Sequence, residues 1–181
     1  MSEEMPFEGV TSAHADAEGV TIVRVFNASR QELFDAWTKP EHFSRWFGEN
    51  DSEISAENIS MDARPGGKWH ATMIHGPERV HIPFHGEFLE VDEPERVVMT
   101  LTDQNNVAAG QYETLTAVFT DLGDGRTEMH FTQRGGNVSS DEYTRALRGE
   151  LIFFERLGGH LKARHDPPGA SGPRAGSGSS R

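Results

Sequence analysis

The chain has 181 residues and a formal net charge of −12, and its length fits a single domain. It contains no cysteine, which excludes disulfides, thiolate nucleophiles and cysteine-ligated metal sites. The negative charge argues against nucleic acid and anionic lipid as partners, because binding phosphate groups needs a basic face, and no apolar run reaches the roughly 18 residues of a membrane span.

The two ends of the chain differ in composition from its middle. Residues 1–18 are small and acidic without hydrophobic periodicity, so we expect a disordered segment there. That segment also lacks the basic and apolar regions of a secretory signal, which indicates a cytoplasmic protein of bacterial type. Residues 166–181 are rich in Gly, Ser and Pro and are predicted to form a disordered tail. The folded domain is therefore predicted to span residues 19–165.

The first ordered elements are predicted to be a strand and two short helices. Residues Val20–Ala28 are dense in β-branched side chains, which is typical of a strand. Ser29 then stands at an N-cap position with Glu32 three residues later, the pattern of a capping box. The helix that follows ends before Pro40, which suits the first turn of a second helix. One face of that second helix carries Phe43, Trp46 and Phe47.

Beyond Gly48 the apolar residues alternate with polar ones, which predicts strands. Six segments show this alternation: SEISAENISM, KWHATMIH, HIPFHGEFLEV, ERVVMTLT, QYETLTAVFTDL and RTEMHFTQR. Turns are predicted at residues 64–67 (RPGG), at 75–78 (HGPE) and at 123–125 (GDG).

The last element is predicted to be a long amphipathic helix, capped by Ser139 or Ser140. Its apolar stripe recurs at steps of three and four residues and consists of Tyr143, Leu147, Leu151, Phe154, Gly158 and Leu161. Gly158 and Gly159 each cost about 1 kcal/mol relative to alanine inside a helix, which indicates close approach of backbone or ligand at that point.

The order of the elements predicts the fold class. A strand, two short helices, six strands and a long helix, without crossover helices between the strands, give an antiparallel sheet. The apolar stripe of the last helix must cover one face of that sheet. We therefore expect an α+β helix-grip fold, in which a curved antiparallel sheet wraps around the C-terminal helix and encloses an apolar pocket.

The strand register determines which side chains face that pocket. In the 68–88 hairpin, pairing His70 with His85 and Lys68 with Glu87 separates polar from apolar residues. The inward set is then Trp69, Ala71, Met73, Ile82, Phe84, Gly86 and Phe88. The same alternation places Val97, Met99, Leu101, Leu115, Ala117, Phe119, Met129 and Phe131 inside.

The predicted register also shows which metal-ligating and catalytic side chains could face the pocket. A zinc or copper site at His70, His81 and His85 is chemically feasible, but these side chains face outward without an acidic partner at fixed spacing, so no metal or other cofactor is predicted. The chain has no nucleophile elbow, metalloprotease motif, P-loop or dinucleotide-binding motif, and no catalytic residue is assigned. The inward polar residues are Glu113, Gln133, Tyr143 and Glu150, which are either solvated at the pocket rim or available as general acid or base.

Four segments resemble one known family. The runs RVFNASRQELFDAWTKPEHFSRWFG, DARPGGKWHATM, HGEFLEVDEPERVVMT and ERLGGHL are similar to the SRPBCC (START/Bet v-like) superfamily, in its branch named for the Hsp-90 ATPase activator homologues. The resemblance covers about Val20 to Lys162. It implies a helix-grip fold with a deep hydrophobic cavity, in a family whose members bind lipids, polyketides, hormones and other apolar ligands or, in a few cases, act as cyclases or condensing enzymes.

We therefore expect the chain to bind a small, largely apolar molecule, such as a lipid, a polyketide or an aromatic metabolite, between the sheet and the C-terminal helix. One alternative is a cyclase or dehydratase that uses Glu113, Glu150 or Tyr143. A second alternative is a regulatory protein that contacts a chaperone, as the name of the branch implies. The residues predicted to line the ligand cavity are Trp46, Phe47, Trp69, Ala71, Met73, Phe84, Met99, Leu115, Phe119, Met129, Phe131, Tyr143, Leu147, Glu150, Leu151, Phe154 and Gly158.

Overall fold

The secondary structure follows the predicted order with two additions. The computed structural model describes residues 7–103, 112–136 and 138–165, so the predicted tail at 166–181 lies outside the described residues. The helices are α1 (Arg30–Thr38), α2 (Pro40–Trp46) and α3 (Ser140–His165), with a short 3₁₀ turn at Ala56–Asn58. The strands are β1 (Val10–Asp16), β2 (Gly19–Phe26), β3 (Ser52–Glu53), β4 (Ile59–Met61), β5 (Lys68–His75), β6 (Val80–Asp92), β7 (Arg96–Asp103), β8 (Glu113–Asp121) and β9 (Thr127–Arg134).

These strands form one curved antiparallel sheet. Its order is β1-β2-β9-β8-β7-β6-β5-β3, and β4 also pairs with β5. The long helix α3 lies across the sheet and packs against β1, β2 and α2. The α+β helix-grip fold is therefore confirmed.

The hairpin register is confirmed as well. Lys68 pairs with Glu87 and His70 with His85, so the predicted inner face of β5 and β6 is the face that points toward the helix. A bulge between Phe88 and Glu90 then shifts the pairing of β6 with β7, which bends the strand and helps the sheet to curve.

Both predicted capping sites are formed. The Glu32 N–H donates to Ser29 Oγ at 3.2 Å, and the Ser29 N–H donates to Glu32 Oε2 at 2.8 Å. Ser139, rather than Ser140, caps α3 in the same way, with Glu142 as its partner. Each cap satisfies backbone donors that the first turn of a helix leaves unpaired, so the starts of α1 and α3 are set by local sequence.

The core lies between the sheet and the three helices. Phe154 of α3 is fully buried, and its ring lies 4.9 Å from that of Phe131 and about 6 Å from those of Trp37 and Trp46 (centroid distances of 6.1 and 6.0 Å). Burying a large side chain of this kind contributes about 1.5–3 kcal/mol. One aromatic cluster thus joins α1, α2, α3 and β9.

The prediction of a disordered segment over residues 1–18 is wrong for Val10–Asp16, which form the edge strand β1. Its side chains are small and only partly buried, so the sequence shows no strong alternation. The strand is held by backbone pairing with β2, in which Ala13 lies opposite Ile22 and Ala15 opposite Val20. Such pairing leaves little trace in hydrophobic periodicity.

The predicted single strand SEISAENISM is also wrong, since it is divided into β3, the 3₁₀ turn and β4. The break occurs where the Asn58 N–H donates to the Ser55 carbonyl at 2.9 Å and Asn58 Nδ2 donates to Ser55 Oγ at 2.8 Å. Asn and Ser close turns through such local hydrogen bonds. Among the described residues the sheet therefore has nine strands instead of the predicted seven.

Candidate functional site

Four polar side chains meet in the interior, between the sheet and the first half of α3. Glu113 begins β8, and Gln133 lies near the end of the neighbouring strand β9, opposite Leu115. Tyr143 and Glu150 stand seven positions apart on α3, so they lie on one face two turns apart. We call these four residues the polar cluster.

The sheet side of the polar cluster is held by one short hydrogen bond. Gln133 Nε2 donates to Glu113 Oε2 at 2.5 Å. Gly136 makes room for this carboxylate, since a Cβ at that position would lie 2.7 Å from Glu113 Oε1. Gln133 is 5% exposed, and its Oε1 is buried without a hydrogen-bond partner. A buried acceptor in that state costs about 1–3 kcal/mol.

The helix side of the polar cluster favours protonated groups. Burial raises the pKa of Glu150 to about 8, and the nearby carboxylate of Glu113 acts in the same direction. The residue as a whole is partly exposed, but its carboxyl group is surrounded by protein atoms. Burial, and after it the charge of Glu113, also raises the pKa of the Tyr143 phenol. At neutral pH, Glu150 and Tyr143 are therefore mostly protonated donors.

This arrangement can bind the polar end of a molecule that is otherwise apolar. A neutral carboxylic acid and a phenol can donate to a carbonyl or hydroxyl oxygen, and the free Gln133 Oε1 can accept from a hydroxyl or an N–H. A carboxyl group with a pKa near neutrality is also suited to general acid or base chemistry.

The predicted lining residues fall mainly in the buried core. Phe84 and Leu147 are partly buried, as are Glu150 and Gly158. The buried set is Trp46, Phe47, Trp69, Ala71, Met73, Met99, Leu115, Phe119, Met129, Phe131, Tyr143, Leu151 and Phe154. Trp46 and Phe47, two of these predicted lining residues, are 1% and 4% exposed and pack against neighbouring aromatic rings. They are part of the packed interior.

Gly158 faces a side chain that the sequence analysis missed. Arg24 points inward from β2 and is 4% exposed. Its Nη1 donates to Glu155 Oε2 at 3.1 Å, and its guanidinium carbon lies 4.9 Å from the centroid of the Phe26 ring. A Cβ on residue 158 would lie 2.7 Å from Arg24 Nη2. Strand alternation could have identified Arg24, since it shares the inner face of β2 with Ile22 and Phe26.

The histidines do not converge on a metal site within the described residues, where no group of three or more His, Asp or Glu side chains is placed to hold an ion. His70 and His85 lie opposite each other on the outer face of the hairpin. A separate pair joins α2 to α3, with His42 Nδ1 3.2 Å from His160 Nε2. Burial lowers the pKa of both imidazoles of that pair.

Across the ranges that the structure describes, no helix is long and apolar enough to cross a membrane.

Comparison with known proteins gives a family match and a shared fold. The family model of the Activator of Hsp90 ATPase homolog 1-like protein matches residues 27–162. No curated protein matches the chain. Solved structures align over most of it, among them a solution structure of a protein from Arthrobacter aurescens, 18% identical, with a TM-score of 0.70 and 94% of this chain and 99% of that chain covered.

Two further solved structures carry a more specific description. The AHSA1 protein from Silicibacter pomeroyi is 19% identical, with a TM-score of 0.69 and coverage of 80% of this chain and 98% of that one. An HSP90 activator from Plasmodium falciparum is 19% identical, with a TM-score of 0.50 and coverage of 65% and 72%. At these identities the likeness concerns the fold alone.

Proposed function

The chain belongs to the family of Activator of Hsp90 ATPase homolog 1-like proteins, and we propose that it binds a small, largely apolar molecule between the sheet and α3. The polar end of that molecule lies at the polar cluster. There Glu150 and Tyr143 donate hydrogen bonds, and Gln133 Oε1 accepts one.

The observation that carries this proposal is the unpartnered Gln133 Oε1 in a cluster whose Glu113 is bonded to Gln133 and raises the pKa of Glu150. Folded proteins satisfy nearly all of their buried polar groups. The buried acceptor Gln133 Oε1 therefore carries an energetic cost, which a hydrogen bond from a ligand would offset. The polar cluster would not favour a negatively charged ligand end, since Glu113 already places a negative charge nearby.

The apolar surroundings of the polar cluster support the second half of the proposal. Leu115 and Phe131 lie on the inner face beside Gln133, and Leu151 follows Glu150 on the helix; all three are buried. Ligand sites typically combine such apolar walls with a few polar groups that set orientation. Lipids, polyketides and aromatic metabolites all have this character.

The first test is a thermal-shift and native mass spectrometry screen with those three compound classes. A ligand at a hundredfold excess over its Kd stabilises the folded state by about 2.7 kcal/mol, so binding should be visible as a higher melting temperature. We expect hydroxylated or carbonyl-bearing compounds to bind more tightly than the matching hydrocarbons. A screen in which none of the three classes raises the melting temperature would contradict the proposal.

The matched variants are Gln133→Leu inside β9 and His130→Gln on the exposed face of the same strand. We expect Gln133→Leu to weaken compounds that donate a hydroxyl by about tenfold, the loss of roughly one buried hydrogen bond. It should leave the hydrocarbons unchanged, and His130→Gln should leave both unchanged. Equal effects of the two variants would place the ligand elsewhere.

Chaperone contact is the second candidate function, favoured by the family and by the name of the Plasmodium falciparum structure. The exposed large apolar side chains among the described residues are Val80, Leu89, Tyr112 and Leu122. Val80 and Leu89 lie far apart along β6, and Tyr112 and Leu122 lie just outside the two ends of β8, so they do not mark a docking face. Titration into a purified Hsp90 would test this function directly, and an unchanged ATPase rate would exclude it for that chaperone.

A further inference from the structure

A concavity lies away from the polar cluster, between the end of β2 and the last turns of α3. Its volume is about 200 Å³, and none of the four residues of the polar cluster borders it. The lining residues are Glu8, Arg24, Val25, Phe26, Asn27, Gly158, Leu161, Lys162 and His165. We call this space the Arg24 concavity.

Arg24 contributes several N–H donors to this concavity, and not all of them have a hydrogen-bond partner in the protein. The guanidinium is buried, and Nη1 bonds Glu155 Oε2, but Nε is buried without a partner. Nη2 lies on the same edge of the guanidinium as Nε and close to Gly158, where any larger residue would crowd it. An arginine edge formed by Nε and a terminal nitrogen matches the two oxygens of a carboxylate.

The charge of the lining agrees with an anionic occupant. Arg24 and Lys162 are cationic and His165 can become so, against the carboxylate of Glu8 in the lining; the charge of Arg24 is partly neutralised by Glu155. His165 is partly neutralised, because its Nε2 lies 2.9 Å from Glu32 Oε1.

Two other concavities have no such excess. One has Asp51 and Glu53 against Arg79. The other balances its acidic residues Glu41 and Glu53 with Arg45 and Arg156. In a chain of net charge −12, a lining with more basic than acidic residues distinguishes the Arg24 concavity from those two.

We propose that the Arg24 concavity binds a small organic carboxylate. The carboxylate accepts hydrogen bonds from Arg24 Nε and Nη2, and Lys162 adds a favourable charge at the rim. The body of the ligand lies against the apolar surfaces of Phe26 and Leu161, and a volume of about 200 Å³ limits it to a molecule of the size of a single substituted ring. This site is independent of the one proposed at the polar cluster.

The test follows the Arg24 Nε–H signal in ¹⁵N NMR spectra of the full chain during titration with benzoate. Benzamide, which has the same shape without the charge, and inorganic phosphate, which has charge without an apolar body, are the comparison ligands. We expect benzoate to shift the Arg24 signal and to bind at least about tenfold more tightly than benzamide, as for a charge-assisted bond. Equal binding of benzamide, or phosphate binding as tight as that of benzoate, would overturn the proposal.

Two variants and one control complete the test. Arg24→Met should abolish the benzoate-induced shifts of Gly158 and Leu161 amides, and Lys162→Gln, at an exposed position that folding does not need, should weaken benzoate about two- to threefold. Arg126→Gln in the exposed 123–125 turn region should change nothing. If Arg24→Met does not fold, Lys162→Gln tests the proposal alone. An unchanged benzoate affinity in that variant would contradict the proposal, because Lys162 is expected to attract the carboxylate.

Discussion

Glu150 is the residue whose chemistry depends most on the fold. Its carboxyl group is removed from water by α3 and the sheet, and Glu113 lies close enough to oppose its ionisation. The alternation of side chains along the strands predicts that Glu113 and Gln133 face inward. The apolar stripe of the last helix predicts the same for Tyr143 and Glu150. The sequence could not show that β8 and α3 bring Glu113 and Glu150 together, because that distance depends on how the helix lies across the sheet.

The raised pKa of Glu150 makes a prediction about stability and pH. The pKa rises from its ordinary value of 4.5 to about 8 on folding, so between these values the folded state binds more protons than the unfolded state. Stability then falls as pH rises across this window; the stabilising effect of the raised pKa is complete below pH 4.5 and lost above pH 8. Relative to the wild type, Glu150→Gln should therefore gain about 1–3 kcal/mol between pH 5 and pH 8, a figure reduced for the partial exposure of the residue.

Urea midpoints of the two proteins at pH 5 and pH 8 measure this difference. Glu57→Gln, at an exposed position of the 3₁₀ turn, is the control and should show no comparable change with pH. A constant difference between wild type and Glu150→Gln would mean that Glu150 ionises in the folded protein as it does in water.

At the scale of elements, α3 shows how much local sequence decides. Its capping box and apolar stripe were readable from the sequence, and both are present in the structure. The two glycines predict a close approach of backbone or ligand, and that prediction is right only for a close approach at Gly158, where the approaching group is a side chain. The structure places the guanidinium of Arg24 against Gly158 and nothing against Gly159. Strand β1 could not be predicted because its sequence shows no strong alternation of polar and apolar residues. It is held by pairing with β2 and by packing against α3.

The two glycines make a matched pair for substitution. Gly159→Ala has free space around the new methyl group and should stabilise the helix by about 0.5–1 kcal/mol. Gly158→Ala offers the same gain in helix propensity, but its Cβ would meet Arg24 Nη2 at 2.7 Å, so the guanidinium must shift, which disturbs its hydrogen bond to Glu155. We expect Gly158→Ala to be at least about 1 kcal/mol less stable than Gly159→Ala in urea unfolding. Equal stabilities would show that Arg24 can withdraw from the helix without cost.

At the scale of the whole molecule, one aromatic cluster holds the helices to the sheet. Phe154 contacts the rings of Trp37, Trp46 and Phe131, which belong to α1, α2 and β9. The fold class could be predicted because element order and strand parity leave few alternatives for an antiparallel sheet with one long helix. The packing of these rings could not, since it depends on contacts between residues far apart in the chain.

Replacing Phe154 tests this grip directly. Phe154→Ala should cost about 3–5 kcal/mol, as large-to-small changes in a packed core do. Its neighbour Phe153 is only partly buried and lies beside Phe47, with a ring distance of 5.2 Å, so Phe153→Ala should cost about 1–2 kcal/mol. Urea midpoints at constant m-value give both numbers. Similar small losses in the two variants would mean that α3 is not anchored through the cluster.

The burial of that cluster also determines how the protein behaves optically. All three tryptophans of the chain belong to the interior, with Trp37, Trp46 and Trp69 each no more than 2% exposed. Their fluorescence therefore arises wholly from the interior. A soluble quencher such as acrylamide reaches them only when the helices separate from the sheet. Emission wavelength and quenching thus report separately on unfolding and on local opening, with no label attached to the chain.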